Sequence, residues 1–356
     1  MEASRGFGGQ EIRIITECLE FKKKGHEILL ICQPDAAIIS HLEEASLAYI
    51  PVAMNSSMSF SAISSLCKIF KKEKPDVVHT HSSLDSWVGG FAGKLSGVPL
   101  LIRTRHVSIP VKNPIVYKYL TDTIITTGSS IRNMFIDKLK IKPEEVHSIP
   151  TGVDLKRFTK EKYDRNEIRK SLNIEGDVPV ISIIGVLRGW KGHHFFVDAA
   201  KKVLETNEAI FHIIGCSPVG ENPLYEVIKG YEKNIRILGY RKDIPEMLAA
   251  SDILVSASTS SEGVSQSIIQ ALAMEKGVIA TDVGSTSDII KHNKTGLLIQ
   301  HSSSDAIADA ILELISSPDQ IKQLGTSGRE CVEANFDISS MADKIEKIYY
   351  DKLNAQ

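Results

Sequence analysis

No apolar run in this chain reaches the ~18–20 residues that a membrane-spanning helix needs. The opening Met1-Glu2-Ala3-Ser4 also lacks the basic-then-apolar order of a secretory leader. Cysteine is sparse. The five in 356 residues (Cys18, Cys32, Cys67, Cys216 and Cys331) are scattered, odd in number and form no C-x-x-C pair. That excludes a disulfide framework and a thiolate zinc site, and it reads as reduced thiols in a cytoplasmic protein. An excess of one charge is missing too: Lys+Arg 42 against Asp+Glu 44 leaves a net −2, with no global field to draw in nucleic acid. Two glycine motifs fail as well. Gly6-Phe7-Gly8 runs on to Glu11 where a dinucleotide fingerprint needs its third glycine, and Gly93-Lys94 is followed by Leu95 rather than Ser or Thr.

What is present is a globular composition, 42% hydrophobic and 24% charged, over a length that fits about two domains at ~100–200 residues each. Short apolar runs alternate with amphipathic stretches almost from end to end. The runs are 26–32, 76–80, 99–104, 121–126, 178–184, 209–214, 234–238, 252–256 and 277–281. Runs of this length between helical patterns predict βαβ units and buried parallel strands. A boundary falls near Pro150–Phe158. Residues 1–155 are expected to form one doubly wound unit and 156–336 a second. Residues 337–356 make a terminal amphipathic helix available to pack back on the first. Two such units face to face would line a cleft with the carboxyl ends of their strands. Ile12, Ile15 and Leu19 predict the apolar face of the first helix, which closes on Lys22–Lys24 and Gly25. The glycine turn 6–9 follows Met1 so closely that the strand expected before it is missing or only a stub.

Three places carry candidate chemistry. The segment 185–192 (GVLRGWKG) follows the first strand of the second unit and opens a helix, so Arg188 and Lys191 beside a helix N-terminus suit a diphosphate. The plain alternative is a turn with solvated cations; in the diphosphate reading too Lys191 is expected to be exposed, and its removal to cost little stability. The segment SSEGVSQ, 260–266, also leads from a strand into a helix. Glu262 and Gln270 are eight residues apart, two turns, and share a face if the helix reaches back that far; a carboxylate and an amide suit sugar hydroxyls. In the first unit His79 and His81 flank a strand end and His106 follows another. A histidine is more often structural, but the position of His106 favours a cleft-facing role. The run 68–74 (KIFKKEK) is a basic amphipathic face, usually just solvated but also suited to anionic lipid.

GFGGQE, SIPTGVDLKRF, GVLRGWKGH, SSEGVSQSIIQALAM and GVIATDVGS, in this order, resemble the glycosyltransferase family 4 pattern over nearly the whole chain. The resemblance implies the GT-B fold of two Rossmann-like domains and a retaining, metal-independent transfer from a nucleoside diphosphate sugar, like that of enzymes building bacterial surface polysaccharide or lipopolysaccharide. It implies that Gly8 and Gly9 lie against donor diphosphate or acceptor, and that Arg188 and Lys191 hold the diphosphate. Glu262 would contact the donor hexose, and Gly263, Val264 and Ser265 would offer backbone contacts. Gln270 would face the ribose, and His106 would lie near the reacting centre. The family's usual second glutamate is Gln270 here, and Val186 stands where an arginine is common. No D-x-D triplet is present to hold a divalent metal, so no cofactor is expected. A glycan or lipid-linked glycan acceptor, reached from the cytoplasmic membrane face, completes the expectation. A GT-B nucleotide-sugar epimerase and a non-catalytic sugar-nucleotide binder are the alternatives.

Overall fold

The computed structural model describes residues 1–215, 223–260 and 262–355; Cys216 and Ser261 lie outside them. The chain divides into two compact units, Met1–Gly152 with Ile338–Gln356, and Val153–Asp337. Among the described residues no helix is long and apolar enough to cross a membrane.

In unit 1 the strands β1 (Leu29–Cys32) and β2 (Ala48–Pro51) pair in parallel. So do β3 (Val77–Thr80), β4 (Leu100–Arg105), β5 (Thr123–Thr126) and β6 (Val146–Ser148), in that order. The connecting helices are α1 (Gly9–Lys23), α2 (Ile38–Glu44), α3 (Phe60–Glu73), α4 (Ser83–Ser96), α5 (Ile115–Tyr119) and α6 (Ser129–Asn133). The strand expected to be missing is present as a stub. Glu2 bridges Cys32 in parallel and its N–H donates to the Ile31 carbonyl (2.9 Å), while the Met1 nitrogen donates to the His79 carbonyl (2.6 Å). Met1, Glu2 and Ala3 are buried and occupy the place between β1 and β3.

Of the face of α1 that the apolar pattern suggests, Ile15 and Leu19 are partly buried against the cluster around Ile14, Ile38 and Leu42. Ile12 is exposed, and the helix turns inward Ile14 and Phe21 together with Glu11, Arg13, Glu17 and Glu20. Four buried charged side chains need partners. Glu11 accepts from the Gly8 N–H (2.8 Å), and Arg13 donates to the Ile149 carbonyl (3.0 Å) and Thr151 Oγ1 (3.1 Å).

Unit 2 is one parallel sheet in the order β12 (Leu297–Ile299), β11 (Gly277–Thr281), β10 (Ile253–Ser256), β7 (Val180–Ile184), β8 (Ile210–Ile214), β9 (Ile235–Gly239). Its helices are α7 (Arg165–Ser171), α8 (His193–Leu204), α9 (Leu224–Val227), α10 (Ile244–Ala250), α11 (Gln266–Ala273), α12 (Ser304–Ile315) and α13 (Pro318–Asn335). From β7 the chain builds outward through β8 and β9, then returns to place β10 on the other side. The junction of β7 and β10 is therefore a topological switch point, where open α/β sheets bind ligands beyond the strand ends. The last helix, α14 (Ile338–Leu353), returns to unit 1, where Ile345 and Ile348 join Phe21, Leu100 and Ile102 in one apolar cluster.

Candidate functional site

In unit 2 the loops after β7 and β10 meet at the switch point. Gly192 caps α8 with φ +68°, and a Cβ there would lie 1.9 Å from the Ala257 carbonyl oxygen. Only glycine lets the two loops approach so closely. The Thr259 N–H donates to the Trp190 carbonyl (2.8 Å) and locks them together. This clamp brings Lys191 Nζ to 2.7 Å from Glu262 Oε1, with Ser258 Oγ donating to the same oxygen (2.8 Å). Behind Glu262, Gly284 at φ +60° presses on the backbone, where a Cβ would stand 2.0 Å from the Glu262 carbonyl oxygen. Lys191, His193, Ser256, Ala257, Ser258 and Ser267 line a small cavity beside this pair.

Lys191 is not the exposed lysine expected from the sequence; its side chain is 25% exposed and paired with a buried carboxylate, so its removal should cost stability as well. Arg188 is exposed, with its guanidinium 5.4 Å from the centre of the Trp190 ring. Glu262 and Gln270 do not share a helix. α11 begins at Gln266 with Ser265 as its N-cap, so Glu262 sits in the preceding loop and only Gln270, half-buried, is helical. Gly263 and Val264 are buried before that N-cap, and the Val264 side chain packs with Ile268 and Ile269, which leaves its backbone for any ligand. His193, unnoticed among the motif residues, opens α8 with neither ring nitrogen hydrogen-bonded; burial pushes its pKa down to about 4.

In unit 1, Gly8 caps α1 and Gly9 is its first residue, at the helix N-terminus. The three histidines come together with residues the sequence did not single out. His79 Nδ1 is 2.7 Å from the Tyr349 hydroxyl and 3.2 Å from Glu17 Oε1, and its Nε2 is 2.7 Å from Thr104 Oγ1. His79 stacks on His81 with centroids 4.4 Å apart, and His81 Nδ1 is 3.3 Å from His106 Nε2. Burial holds both His81 and His106 well below the ordinary histidine range, with His79 adding to the effect at His81 and Arg13 at His106. Burial alone would raise the Glu17 carboxyl, but His79 and Arg13 hold it below its usual value. Glu17, His79 and His81 offer ligating atoms within 4.8 Å of one another. Both His79 nitrogens are already hydrogen-bonded, and Glu17 faces the Arg13 guanidinium, whose Nε stands 3.6 Å from Oε2 as an ion pair. The set fits a hydrogen-bonded network better than a cation cage.

Residues 164–331 match the family model described as glycosyl transferases group 1, and residues 7–157 the one described as Glycosyltransferase Family 4. The UDP-Gal:alpha-D-GlcNAc-diphosphoundecaprenol alpha-1,3-galactosyltransferase of Escherichia coli is 28% identical over 350 residues, spanning 91% of this chain and 89% of that protein. The N-acetyl-alpha-D-glucosaminyl L-malate synthase of Bacillus anthracis is 22% identical over 362 residues, 97% of this chain and 90% of that one. Among solved structures, a glycosyltransferase from Rickettsia africae ESF-5 superposes with a TM-score of 0.89 at 24% identity, covering 100% of this chain and 98% of that chain. Anabaena Alr3699/HepE in complex with UDP-glucose gives 0.86 at 19% identity, covering 99% and 100%. With both halves matched in order and each unit a doubly wound parallel sheet, the chain belongs to glycosyltransferase family 4 and has the GT-B fold.

Proposed function

We propose that this glycosyltransferase moves a sugar, with retention of anomeric configuration and without a bound metal, from a nucleoside diphosphate sugar to a hydroxyl of a glycan or lipid-linked glycan. The observation that carries the reading is the Lys191–Glu262 pair at the switch point of unit 2. Lys191, with Arg188 beside it, meets the charge that grows on the leaving diphosphate, while Glu262 accepts from a hexose hydroxyl. Such pre-placed charge acts more strongly on the transition state than on the bound donor. The amides at Gly263, Val264 and Ser265 lead into the N-terminus of α11, which suits sugar or phosphate oxygens. Gln270 serves the ribose. In unit 1, Gly8 and Gly9 are assigned to donor diphosphate or acceptor, and His106 to the chemistry of transfer.

In the step itself the bond from the anomeric carbon to the diphosphate oxygen breaks, and the acceptor oxygen bonds to the same face. The acceptor's proton passes to the departing phosphate. No carboxylate nucleophile is required. A UDP-sugar is the donor class to try first: the Escherichia coli relative is named for UDP-Gal and a diphosphoundecaprenol acceptor, and the Anabaena protein was solved with UDP-glucose. Exposed Lys68, Lys71, Lys72 and Lys74 at the end of α3 support a peripheral contact with anionic lipid on the cytoplasmic membrane face.

A donor screen that follows release of nucleoside diphosphate tests the reading, with NMR of the first product and a parallel reaction in EDTA. The expected result is a retained anomer and unchanged turnover in EDTA. An inverted anomer, or loss of turnover restored by Mg²⁺ or Mn²⁺, contradicts it. Interconversion of the donor without an acceptor favours an epimerase.

A further inference from the structure

The roles given to unit 1 leave Tyr349 unused, although it sits on the terminal helix α14, half-buried, with its hydroxyl against the histidine cluster. Its ring packs 5.4 Å from that of Phe21 on α1, and its hydroxyl is 2.7 Å from His79 Nδ1. Burial, with the Glu17 carboxylate next, holds that hydroxyl well above its ordinary pKa and therefore neutral. We propose that Tyr349 is a positioning residue for His106, acting through His79 and His81. The proposal rests on the reading of His106 as the histidine of the transfer site.

The argument follows the protons. The Glu17 carboxylate, facing His79 Nδ1 at 3.2 Å, can only accept, so Nδ1 carries the hydrogen, and the Tyr349 hydroxyl oxygen at 2.7 Å is the nearer acceptor for it. Nε2 is then an acceptor, and the Thr104 hydroxyl donates to it at 2.7 Å. With both nitrogens held, the His79 ring has one tautomer and one orientation. That ring is the platform for His81, stacked at 4.4 Å and 25°. The His81 backbone N–H donates to Asp85 Oδ2 (2.9 Å), which holds its main chain, so the stack is what fixes its ring. His81 Nδ1 in turn meets His106 Nε2 at 3.3 Å. His106 lies beyond the end of β4 in irregular backbone and has no regular element of its own to fix its ring. When Nε2 is committed to His81, the opposite nitrogen of His106 is left for a ligand. The order of dependence runs from Tyr349 to His79, then His81, then His106. A merely structural hydroxyl would tie α14 to unit 1 and go no further.

Tyr349→Phe keeps the ring against Phe21 and removes only the hydroxyl. The readouts are histidine side-chain ¹⁵N spectra of the full chain, and UDP release from UDP-galactose. The ring-nitrogen signals of His79, His81 and His106 are expected to move together. The kcat for UDP release should fall about threefold to tenfold with KM for UDP-galactose within about twofold, the size of one lost hydrogen bond felt after binding. Tyr350→Phe, on the exposed neighbouring residue, should change none of these. If the His79 signals alone move, or if all three move with kcat unchanged, the proposal is overturned. Should Tyr349→Phe not fold, Thr104→Val removes the other bond to His79 and is read in the same way. If the wild-type chain releases no UDP from UDP-galactose, that counts against the donor reading alone, and the His106 signals still decide this one.

Discussion

Unit 2 buries few charged side chains, Arg169 against Asp252 and Glu262 against Lys191, whereas unit 1 carries more of them into its interior. Every residue of β8 and β11 is buried, His212 being the one titratable side chain among them, and apolar clusters run from Ile181 and Phe211 to Leu272 and Val278 on the two faces of the unit 2 sheet. Lys191 and Glu262 are held by loops that glycines allow to interlock. Unit 1 has the same kind of parallel sheet, yet α1 buries Arg13, Glu17 and Glu20, and the strand ends bury His81 and Arg103. The consequence is physical. In unit 2 the site can be altered with the core left intact, while in unit 1 the site's supports and the core are the same atoms. Substitutions in the two places should therefore separate into losses of rate and losses of fold.

The largest effect is expected at Lys191. Lys191→Ala should lower turnover by about 10²–10³, as when a pre-placed electrostatic donor is removed. It should also destabilise the fold by about 1–3 kcal/mol, because Glu262 is left with Ser258 alone. Steady-state kinetics and thermal melting measure the two, and near-normal turnover in a folded variant would return the loop to a mere turn. In unit 1 the order reverses. Glu17→Leu strands the fully buried Arg13 guanidinium and should cost about 3–5 kcal/mol of stability, while the double change Arg13→Met with Glu17→Leu should recover most of it. Urea unfolding decides, and equal losses in the single and double variants would show that the charges are not energetically coupled.

A smaller effect tests both units through pH. His81 and His106 in unit 1 lie well below the ordinary histidine range, and His193 and His212 in unit 2 are pushed down to about 4, with burial the main cause in each. Each is neutral when folded but protonates in the unfolded chain, so stability rises with pH and is lost as pH falls from about 6.5 towards about 4. Glu2 opposes this. Burial, then the Asp85 charge, push its carboxyl up to about 8, so its contribution shrinks as pH rises. Asp85, also pushed up by burial, acts in the same direction as Glu2, but the lowered histidines, His147 among them, outnumber these two carboxyls, and the melting temperature should fall by several degrees between about pH 7 and about pH 5. His212→Leu, replacing a fully buried ring with no hydrogen bond, should flatten that fall; an unchanged slope would mean that His212 does not titrate on unfolding.

The same contrast explains what could be read from the residues alone. Each of the nine apolar runs contains a strand. The three strands without such a run, β2, β6 and β12, lie at sheet edges and are only partly buried, so their apolar signal is broken. The unit 2 loops announce themselves because glycine, cations and a carboxylate cluster there within a few positions. Arg13, Glu17, Thr104 and Tyr349 gave no comparable signal. They are brought together from three distant segments, α1, β4 and α14, and a charged residue on a helix ordinarily marks its solvent face rather than its buried one. The strand before the glycine turn could be read only as missing or a stub, because three residues at Met1–Ala3 are too few to show a period.

The central claim is that the switch point of unit 2 holds the donor's diphosphate through Lys191. Calorimetric titration of UDP into the full chain in EDTA tests it most directly, with Lys191→Ala and His106→Ala as the comparison. The wild-type chain should bind UDP, Lys191→Ala should bind it about tenfold more weakly or worse, and His106→Ala should bind it unchanged. Wild-type affinity retained by Lys191→Ala would contradict the account.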